Sequence, residues 1–223
     1  MKNTENNFEF IRISAALAVL FSHHYALSKL WEPGLSSVIS LGGIAVMIFF
    51  SISGFLVTQS WLSDRNAFRF CLRRALRIWP ALIVVVIIAA LVLGPAVTTL
   101  TINDYLIHGA TWDYFQALIM RIHFVLPGVF NDNPGGASVN GSLWTIPYEF
   151  TLYIFLSFFI FISNNIFKKI LILTSFLVMY FGSLFYLDEL SKIAIFDIGF
   201  LHLFNLGTFF VGGAVLASFK FEM

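Results

Sequence analysis

The chain has 223 residues, of which 59% are apolar and only 11% are charged. Soluble domains carry about 25% charged residues, so this composition excludes an ordinary water-covered globule. The 27 Phe and five Trp residues add apolar area that needs a lipid environment, and the mean hydropathy is +0.87. The formal net charge of +1 gives no indication of nucleic-acid binding. The composition therefore predicts a polytopic membrane protein.

Six uncharged runs are long enough to be membrane helices, which need about 20 predominantly apolar residues. They cover residues 13–28, 33–63, 78–103, 150–167, 170–187 and 198–219. The sequence thus predicts an all-α, polytopic membrane helical bundle with about six transmembrane helices. Between the third and fourth runs, residues 105–125 mix aromatic and charged side chains and predict an interfacial helix on the outer side. We expect residues 1–223 to form a single membrane domain.

The distribution of basic residues predicts the orientation, because cytoplasmic loops are enriched in Lys and Arg. With the N-terminus inside, ten of the thirteen basic residues are cytoplasmic, and only Lys29, Arg121 and Lys192 lie outside. The ten are Lys2, Arg12, Arg65, Arg69, Arg73, Arg74, Arg77, Lys168, Lys169 and Lys220. A multi-pass protein with a cytoplasmic N-terminus follows.

Metal and disulfide chemistry have no sequence support. The single cysteine, Cys71, excludes an internal disulfide and a thiolate metal cluster. His108, His123 and His202 are scattered, with no spacing that builds a metal site. We therefore expect no metal-binding residues.

Arg12 and His23 mark one face of the first helix. They lie eleven residues apart, which is about three turns at roughly 100° per residue, so their side chains project about 16 Å apart along nearly one face. The small residues Ala15, Ala16 and Val19 lie between them. A cation, a groove and an imidazole suit a long, thin ligand. Alternatively, Arg12 contacts lipid phosphates and His23 bonds a neighbouring helix.

A row of arginines opens the third helix. Arg69, Arg73 and Arg77 recur every four residues, and Arg74 forms an Arg-x-x-Arg pair with Arg77. Each guanidinium offers a planar fork of donors that suits a phosphate. The alternative is that the row only sets topology and contacts lipid headgroups.

Glu149 falls in the first turn of the fourth predicted helix, where Pro147 suits the start and the helix dipole favours a carboxylate. An ordinary amino-terminal carboxylate is one interpretation. This helix begins on the side that His23 approaches, however, so the topology predicts that both residues lie at similar depth. A carboxylate orients an imidazole and leaves it as general base toward a hydroxyl.

Four segments in this order resemble the acyltransferase-3 family of bacterial integral-membrane acyltransferases, many of which O-acetylate cell-surface polysaccharides. They are FIRISAALAVLFSH at 10–23, GIAVMIFFSISGFL at 43–56, RRALRIWP at 73–80 and GSLWTIPYE at 141–149. Each segment is weak alone, but four in order over most of the chain are specific. Family members have more spans than this chain, so the resemblance implies that C-terminal helices are missing from it.

The resemblance implies an acyl-coenzyme A donor, expected to be acetyl-coenzyme A, on the cytoplasmic side, with no permanently bound cofactor. The family's essential histidine falls on His23, with Arg12 as its partner, and the acidic residue of its Trp-x4-Glu segment falls on Glu149. Its Arg-x-x-Arg motif falls on Arg74 and Arg77. The residues expected to hold the nucleotide phosphates are Arg69, Arg73, Arg74 and Arg77.

The expected function is therefore that of a bacterial inner-membrane O-acyltransferase acting on a hydroxyl of a cell-surface or lipid-linked glycan, such as lipopolysaccharide. His23, oriented by Glu149, acts as general base or briefly carries the acyl group, and the sequence leaves both open. The expected partners are acyl-coenzyme A, the glycan acceptor and the lipid bilayer, with no nucleic acid. Two alternatives stay open: a proton-coupled small-solute transporter and a non-catalytic membrane subunit.

Overall fold

The computed structural model describes residues 7–35, 39–64, 66–159, 162 and 164–220, the last without its side chain. Within these residues, five helices are long and apolar enough to cross a membrane. They are α1 (Phe8–Leu27), α2 (Leu41–Ser63), α3 (Ala67–Ile88, with its continuation), α8 (Asn165–Phe185) and α10 (Phe200–Lys220). The predicted fold class, an all-α polytopic membrane bundle, is confirmed.

Shorter elements connect these helices. A π-helical turn, Ala89–Leu93, continues α3 into α4 (Gly94–Val97). Then follow α5 (Ile102–Ile107), α6 (Gly109–Asp113), the 3-10 helices Tyr114–Ile119 and Gly141–Thr145, α7 (Ile146–Phe158) and α9 (Leu187–Ser191). A two-stranded antiparallel hairpin, β1 (Ala194–Ile195) and β2 (Ile198–Gly199), precedes α10.

Side-chain caps set the starts of three long helices. Ser40 accepts a hydrogen bond from the Gly43 amide at the start of α2, and Asn66 accepts from Arg69 at the start of α3. Asn164 does the same for α8. Each cap satisfies one of the amides that an α-helix leaves without an internal partner, which is why each helix begins there.

The fourth predicted run differs from the structure in length and position. Its helix, α7, begins at Ile146 and has 13 residues, with Pro147 in the first turn. At about 1.5 Å per residue it is about 20 Å long, shorter than a typical bilayer core of about 30 Å. Residues 160, 161 and 163 of this run lie outside the described residues.

The segment between α3 and α7 forms short helices packed on α3 rather than one interfacial helix over 105–125. Tyr105, Tyr114 and Ala117 are fully buried, and the Tyr105 hydroxyl donates to the Ala90 carbonyl at 2.7 Å. The Trp79 indole donates to the Leu118 carbonyl at 3.2 Å. These contacts attach the segment to the membrane-spanning helix beside it.

Helix α2 lies at the centre of the bundle and packs on α1 and α10, while α10 also packs on α8. Gly54 of α2 and Gly213 of α10 allow the backbones of these two helices to approach closely. A Cβ at Gly54 would clash with the Phe210 carbonyl, and one at Gly213 would clash with the Ser51 carbonyl. Small residues at such crossings let backbones meet in membranes. The apolar side chains of α1 that face away from the bundle, such as Leu17 and Leu20, are exposed to the surrounding lipid.

The helices run alternately, so the bundle has two ends. We call the end where α2 finishes at Ser63 and α3 begins at Ala67 the arginine end. The end where α1 finishes at Leu27 and α2 begins at Leu41 is the histidine end. Of the basic residues in the orientation argument, Lys2, Arg65 and the side chain of Lys220 lie outside the described residues.

Candidate active site

Two cavities open along the inner face of α1 and α2. The arginine cavity has a volume of about 400 Å³ and is lined by Arg12, Arg77 and Glu149 among others. The histidine cavity has a volume of about 350 Å³ and is lined by His23. Val46 of α2 lines both cavities, so they adjoin at this residue. The face of α1 that the sequence predicted to join Arg12 to His23 therefore runs beside both cavities.

Glu149 is held by hydroxyl groups in the wall of the arginine cavity. Its Oε1 accepts a hydrogen bond of 2.9 Å from the Ser53 hydroxyl of α2. The Tyr153 hydroxyl, one turn further along α7, donates to the same oxygen, and the Ser53 and Tyr153 hydroxyls lie 2.9 Å apart. Both partners are buried, so the carboxylate has a fixed position.

Arg12 and Arg77 lie half-buried in the same cavity. Among the described residues, the ion pairs join Arg69 and Arg73 to Asp64, and Arg121 to Asp197. Neither cavity arginine is part of an ion pair within that set. Two guanidinium groups that share a cavity without such a partner are available to an anionic ligand.

Arg74, the first arginine of the Arg-x-x-Arg pair, lies behind the cavity wall. Its guanidinium is 5.6 Å from the ring centroid of Tyr153 and 6.0 Å from that of Phe70. Its Nε is buried and has no hydrogen-bond partner within the described residues. Arg74 thus supports the tyrosine that fixes Glu149, while Arg77 reaches the cavity itself.

Arg69 and Arg73 form ion pairs with Asp64 at the arginine end. Asp64, in the turn between α2 and α3, accepts hydrogen bonds from Arg69 at 3.1 Å and from Arg73 at 3.0 Å. Partial burial acts to raise the pKa of Asp64, but hydrogen bonds from Asn66 and Arg73 and the charge of Arg69 together lower it. The four arginines of the predicted row therefore occupy three different environments.

The histidine cavity contains a second set of polar side chains. Besides His23, it is lined by Glu32, Trp144, His202 and Asn205. The His23 Nε2 lies 3.4 Å from the Ser142 hydroxyl, at the start of the 3-10 helix before α7. The imidazole thus faces a hydroxyl group at the limit of hydrogen-bond distance.

The segment 141–149 forms the wall between the two cavities. Trp144 lines the histidine cavity, whereas Leu143, Thr145, Ile146 and Glu149 line the arginine cavity. The 3-10 helix Gly141–Thr145 passes into α7 at Ile146, and Trp144 lines the opposite cavity from its neighbours Leu143 and Thr145. One sequence motif thereby contributes to both sites.

The topology of the helices predicted that His23 and Glu149 lie at similar depth. The structure instead places the two side chains in different cavities. His23 shares its cavity with Gly42 and Gly43 of α2, whereas Glu149 bonds Ser53. The eleven residues from Gly42 to Ser53 correspond to about 16 Å of helix. Helix α7 begins inside the bundle rather than at its edge, so its first turn lies deeper than the topology alone indicates.

Sequence reasoning missed several residues of these cavities. Ser53 lies in segment 43–56, where small residues are typical of helix packing in a membrane and give no sign of a binding site. Tyr153 follows Glu149 by four residues, a spacing that places both on one helix face. Glu32, His202 and Asn205 carry no spacing signal, because the fold alone brings them to His23. Within the described residues, no group of three or more His, Cys, Asp and Glu side chains forms a metal site.

Comparisons with known proteins agree with these features. The family model described as "Acyltransferase domain" matches residues 5–222. An O-acetyl transferase of Shigella phage Sf6 is 39% identical over 158 residues, which are 67% of this chain and 44% of the relative. Nodulation protein 10 of Rhizobium leguminosarum bv. viciae is 36% identical over 158 residues, which are 67% of this chain and 42% of the relative.

The chain matches less than half the length of either relative, and no solved structure matches it. The family model covers nearly the whole chain, including Arg12, His23, Arg77 and Glu149. The match therefore extends over both cavities. This multi-pass membrane chain belongs to the acyltransferase-3 family.

Proposed function

We propose that the chain is the core of an O-acyltransferase that moves an acyl group from acyl-coenzyme A to a hydroxyl of a cell-surface or lipid-linked glycan. The single observation that carries this proposal is the adjacency of the two cavities at Val46. One presents guanidinium groups to an anionic donor, and the other presents an imidazole to an acceptor. The name of the phage relative, O-acetyl transferase, supports acetyl as the acyl group.

The donor binds in the arginine cavity. Arg77 and Arg12 are the cations that line it, and coenzyme A carries phosphates that a guanidinium binds through paired donors. Glu149, fixed by Ser53 and Tyr153, lies in the wall of the same cavity. The thioester end of the slender pantetheine arm then passes Val46 toward His23.

His23 acts as the general base in this account. Its Nε2 takes the proton of the acceptor hydroxyl while the hydroxyl oxygen attacks the thioester carbonyl carbon. The carbon–sulfur bond breaks, and the coenzyme A thiolate takes up that proton from the imidazolium. The Ser142 hydroxyl at 3.4 Å occupies the direction from which an acceptor hydroxyl would approach Nε2.

The membrane orientation is part of the proposal. We infer a bacterial inner-membrane location with the arginine end in the cytoplasm, where acyl-coenzyme A is made. The excess of Lys and Arg residues at that end supports this direction. The histidine cavity then faces the outer leaflet, where surface glycans are assembled.

Membrane vesicles from cells that make the surface glycan provide the test. With acetyl-labelled coenzyme A, we expect native vesicles to transfer label to glycan, and His23→Ala to lower the rate by about 10²-fold or more. The neighbouring His24 points about 100° away on the same helix, and His24→Ala is the matched control that should keep the native rate. Native vesicles that transport a solute but label no glycan would overturn the proposal, as would full activity of His23→Ala.

A further inference from the structure

The histidine cavity holds polar side chains that general-base catalysis does not require. Glu32, His202 and Asn205 line it together with His23, and all three lie outside the four sequence motifs. A buried or half-buried carboxylate and amide lose hydration, so they favour a ligand that returns hydrogen bonds. The polar side chains that line the histidine cavity therefore indicate which class of ligand it binds.

Glu32 comes from the connection between α1 and α2 and is half-buried. A Cβ placed on Gly42 would lie 3.3 Å from the Glu32 Oε1 and 2.6 Å from the Ser22 hydroxyl. Ser22 accepts a hydrogen bond of 2.8 Å from the Gly42 amide. The Glu32 carboxylate thus lies beside the start of α2, near Ser22, the residue that precedes His23.

His202 and Asn205 approach the cavity from the first turns of α10. The His202 ring lies 5.4 Å from Trp144 and 6.1 Å from Tyr148, both at steep interplanar angles. The Tyr148 hydroxyl accepts a 3.2 Å hydrogen bond from the Gly199 amide, which fixes this aromatic cluster to the start of α10. Asn205 follows His202 by three residues and therefore lies on the same face.

We infer that the histidine cavity is the acceptor subsite, in which Glu32, His202 and Asn205 bind the hydroxyls of one saccharide ring and Trp144 packs on its apolar face. Each sugar hydroxyl both donates and accepts, which matches an acceptor-only carboxylate, a mixed amide and an imidazole. An indole adds a broad apolar face with a polar edge. The volume of about 350 Å³ lies at the small end of ligand sites, suited to one ring.

This inference rests on the proposed function and identifies the carboxylate of the acceptor site as Glu32. Glu149 is the glutamate of the sequence motif, but it already accepts from Ser53 and Tyr153 in the other cavity. Glu32 shares the cavity of His23. A saccharide bound between Glu32 and Trp144 presents a ring hydroxyl to the His23 imidazole, so regioselectivity depends on this wall.

The detergent-solubilised chain gives the kinetic test, with oligosaccharides released from the surface glycan by mild acid as acceptor and acetyl-coenzyme A as donor. We expect Glu32→Gln and Asn205→Ala each to raise the acceptor KM about tenfold, and to leave the donor KM unchanged, because each removes hydrogen bonds to the sugar alone. Glu189→Gln, an exposed carboxylate at the histidine end, is the matched control and should change neither constant. The thermal midpoint of each variant verifies folding.

A second measurement does not depend on activity. Ala26→Cys in a Cys71→Ser background leaves one thiol in the lining of the subsite at a residue that makes no proposed bond to the sugar, since Cys71 is the sole cysteine of the chain. We expect the oligosaccharides to slow its alkylation by a maleimide, and Glu32→Gln to weaken that protection. Lipid-linked saccharide is tested in a parallel reaction, and protection by it alone would identify the membrane-bound form as the ligand.

The two proposals fail in distinguishable ways. If the native chain labels glycan, but Glu32→Gln and Asn205→Ala keep the native acceptor KM and Ala26→Cys shows no protection, the acceptor subsite is wrong and the acyltransferase stands. If the native chain transfers no acetyl group while the oligosaccharides still protect Ala26→Cys, the cavity binds saccharide and the proposed reaction is wrong.

Discussion

Ser53 of α2 and Glu149 of α7 are joined by a 2.9 Å hydrogen bond across 96 residues of sequence. This bond connects two of the sequence segments that resemble the acyltransferase-3 family, 43–56 and 141–149. It also gives the Ser53 hydroxyl a partner in the middle of a largely apolar helix, where an unpartnered hydroxyl would be costly. The position of the Glu149 carboxylate in the arginine cavity depends on this hydrogen bond.

We predict that Ser53→Ala lowers the rate of acyl transfer about tenfold, because a hydrogen bond to a charged group contributes about 1.5–3 kcal/mol. Ser51 is the matched control, since it lies on the same helix and its hydroxyl donates to the Met47 carbonyl of its own helix. Ser51→Ala should keep the native rate in the same vesicle assay. Equal losses in both variants would show that the Ser53 bond has no special role.

We predict that the arginines of α3 contribute unequally to donor binding. Arg77→Ala should raise the KM for acetyl-coenzyme A by about 10-fold or more, because Arg77 lines the cavity and has charge-assisted bonds to offer. Arg69 is 64% exposed and paired with Asp64, so Arg69→Ala should change that KM little. Initial rates at varied donor concentration measure both. A larger effect at Arg69 would place the phosphates outside the cavity.

We predict that the link between Asp64 and the arginines of α3 breaks only in strongly acid solution. The pKa of Asp64 is lower in the folded chain, so its contribution to stability is complete above the usual pKa of an aspartate and is lost as the pH falls through the folded value. Asp64→Asn should lower the thermal midpoint slightly at neutral pH. The difference between native and variant midpoints should vanish at low pH; a difference that persists there would contradict the link.

We predict that alanine at Gly54 or Gly213 separates α2 from α10. The added methyl group would meet a backbone carbonyl, of Phe210 or Ser51 respectively, and backbone cannot move aside as a flexible side chain does. Overpacking of this kind costs about 1–3 kcal/mol. The thermal midpoint in detergent should fall for both variants. Gly109 is the control, because a Cβ added there would meet nothing within 4 Å, and Gly109→Ala should not lower the thermal midpoint.

The sequence predicted the fold class because apolar runs of membrane length have few alternatives in a lipid environment. It also predicted that Arg12 and His23 share one face of α1, since the helical repeat alone determines this. The length of α7 was not predictable, because its 13-residue helix starts inside the bundle and its apolar run continues past the helix end.

The cavity partners were only partly predictable. Tyr153 follows Glu149 by one helical turn, so the spacing alone could have indicated it. The separation of His23 from Glu149 depends on where α7 begins relative to α2, which no local pattern encodes. Asp64 was likewise not singled out, although it decides which arginines remain available, because its contacts depend on the turn between α2 and α3.

The central claim is that the thioester end of the donor passes Val46 from the arginine cavity to the histidine cavity. A thiol placed at residue 46 tests this claim most directly. In a Cys71→Ser background, Val46→Cys carries a single thiol at the junction, and Val84→Cys carries one on an exposed face of α3, where the native side chain is 54% exposed. A benzyl thiosulfonate modifies either thiol reversibly, so folding is not disturbed permanently. We predict that modification of Val46→Cys stops acyl transfer, that reduction restores it, and that modified Val84→Cys stays active. Complete modification of Val46→Cys with an unchanged transfer rate would contradict the account.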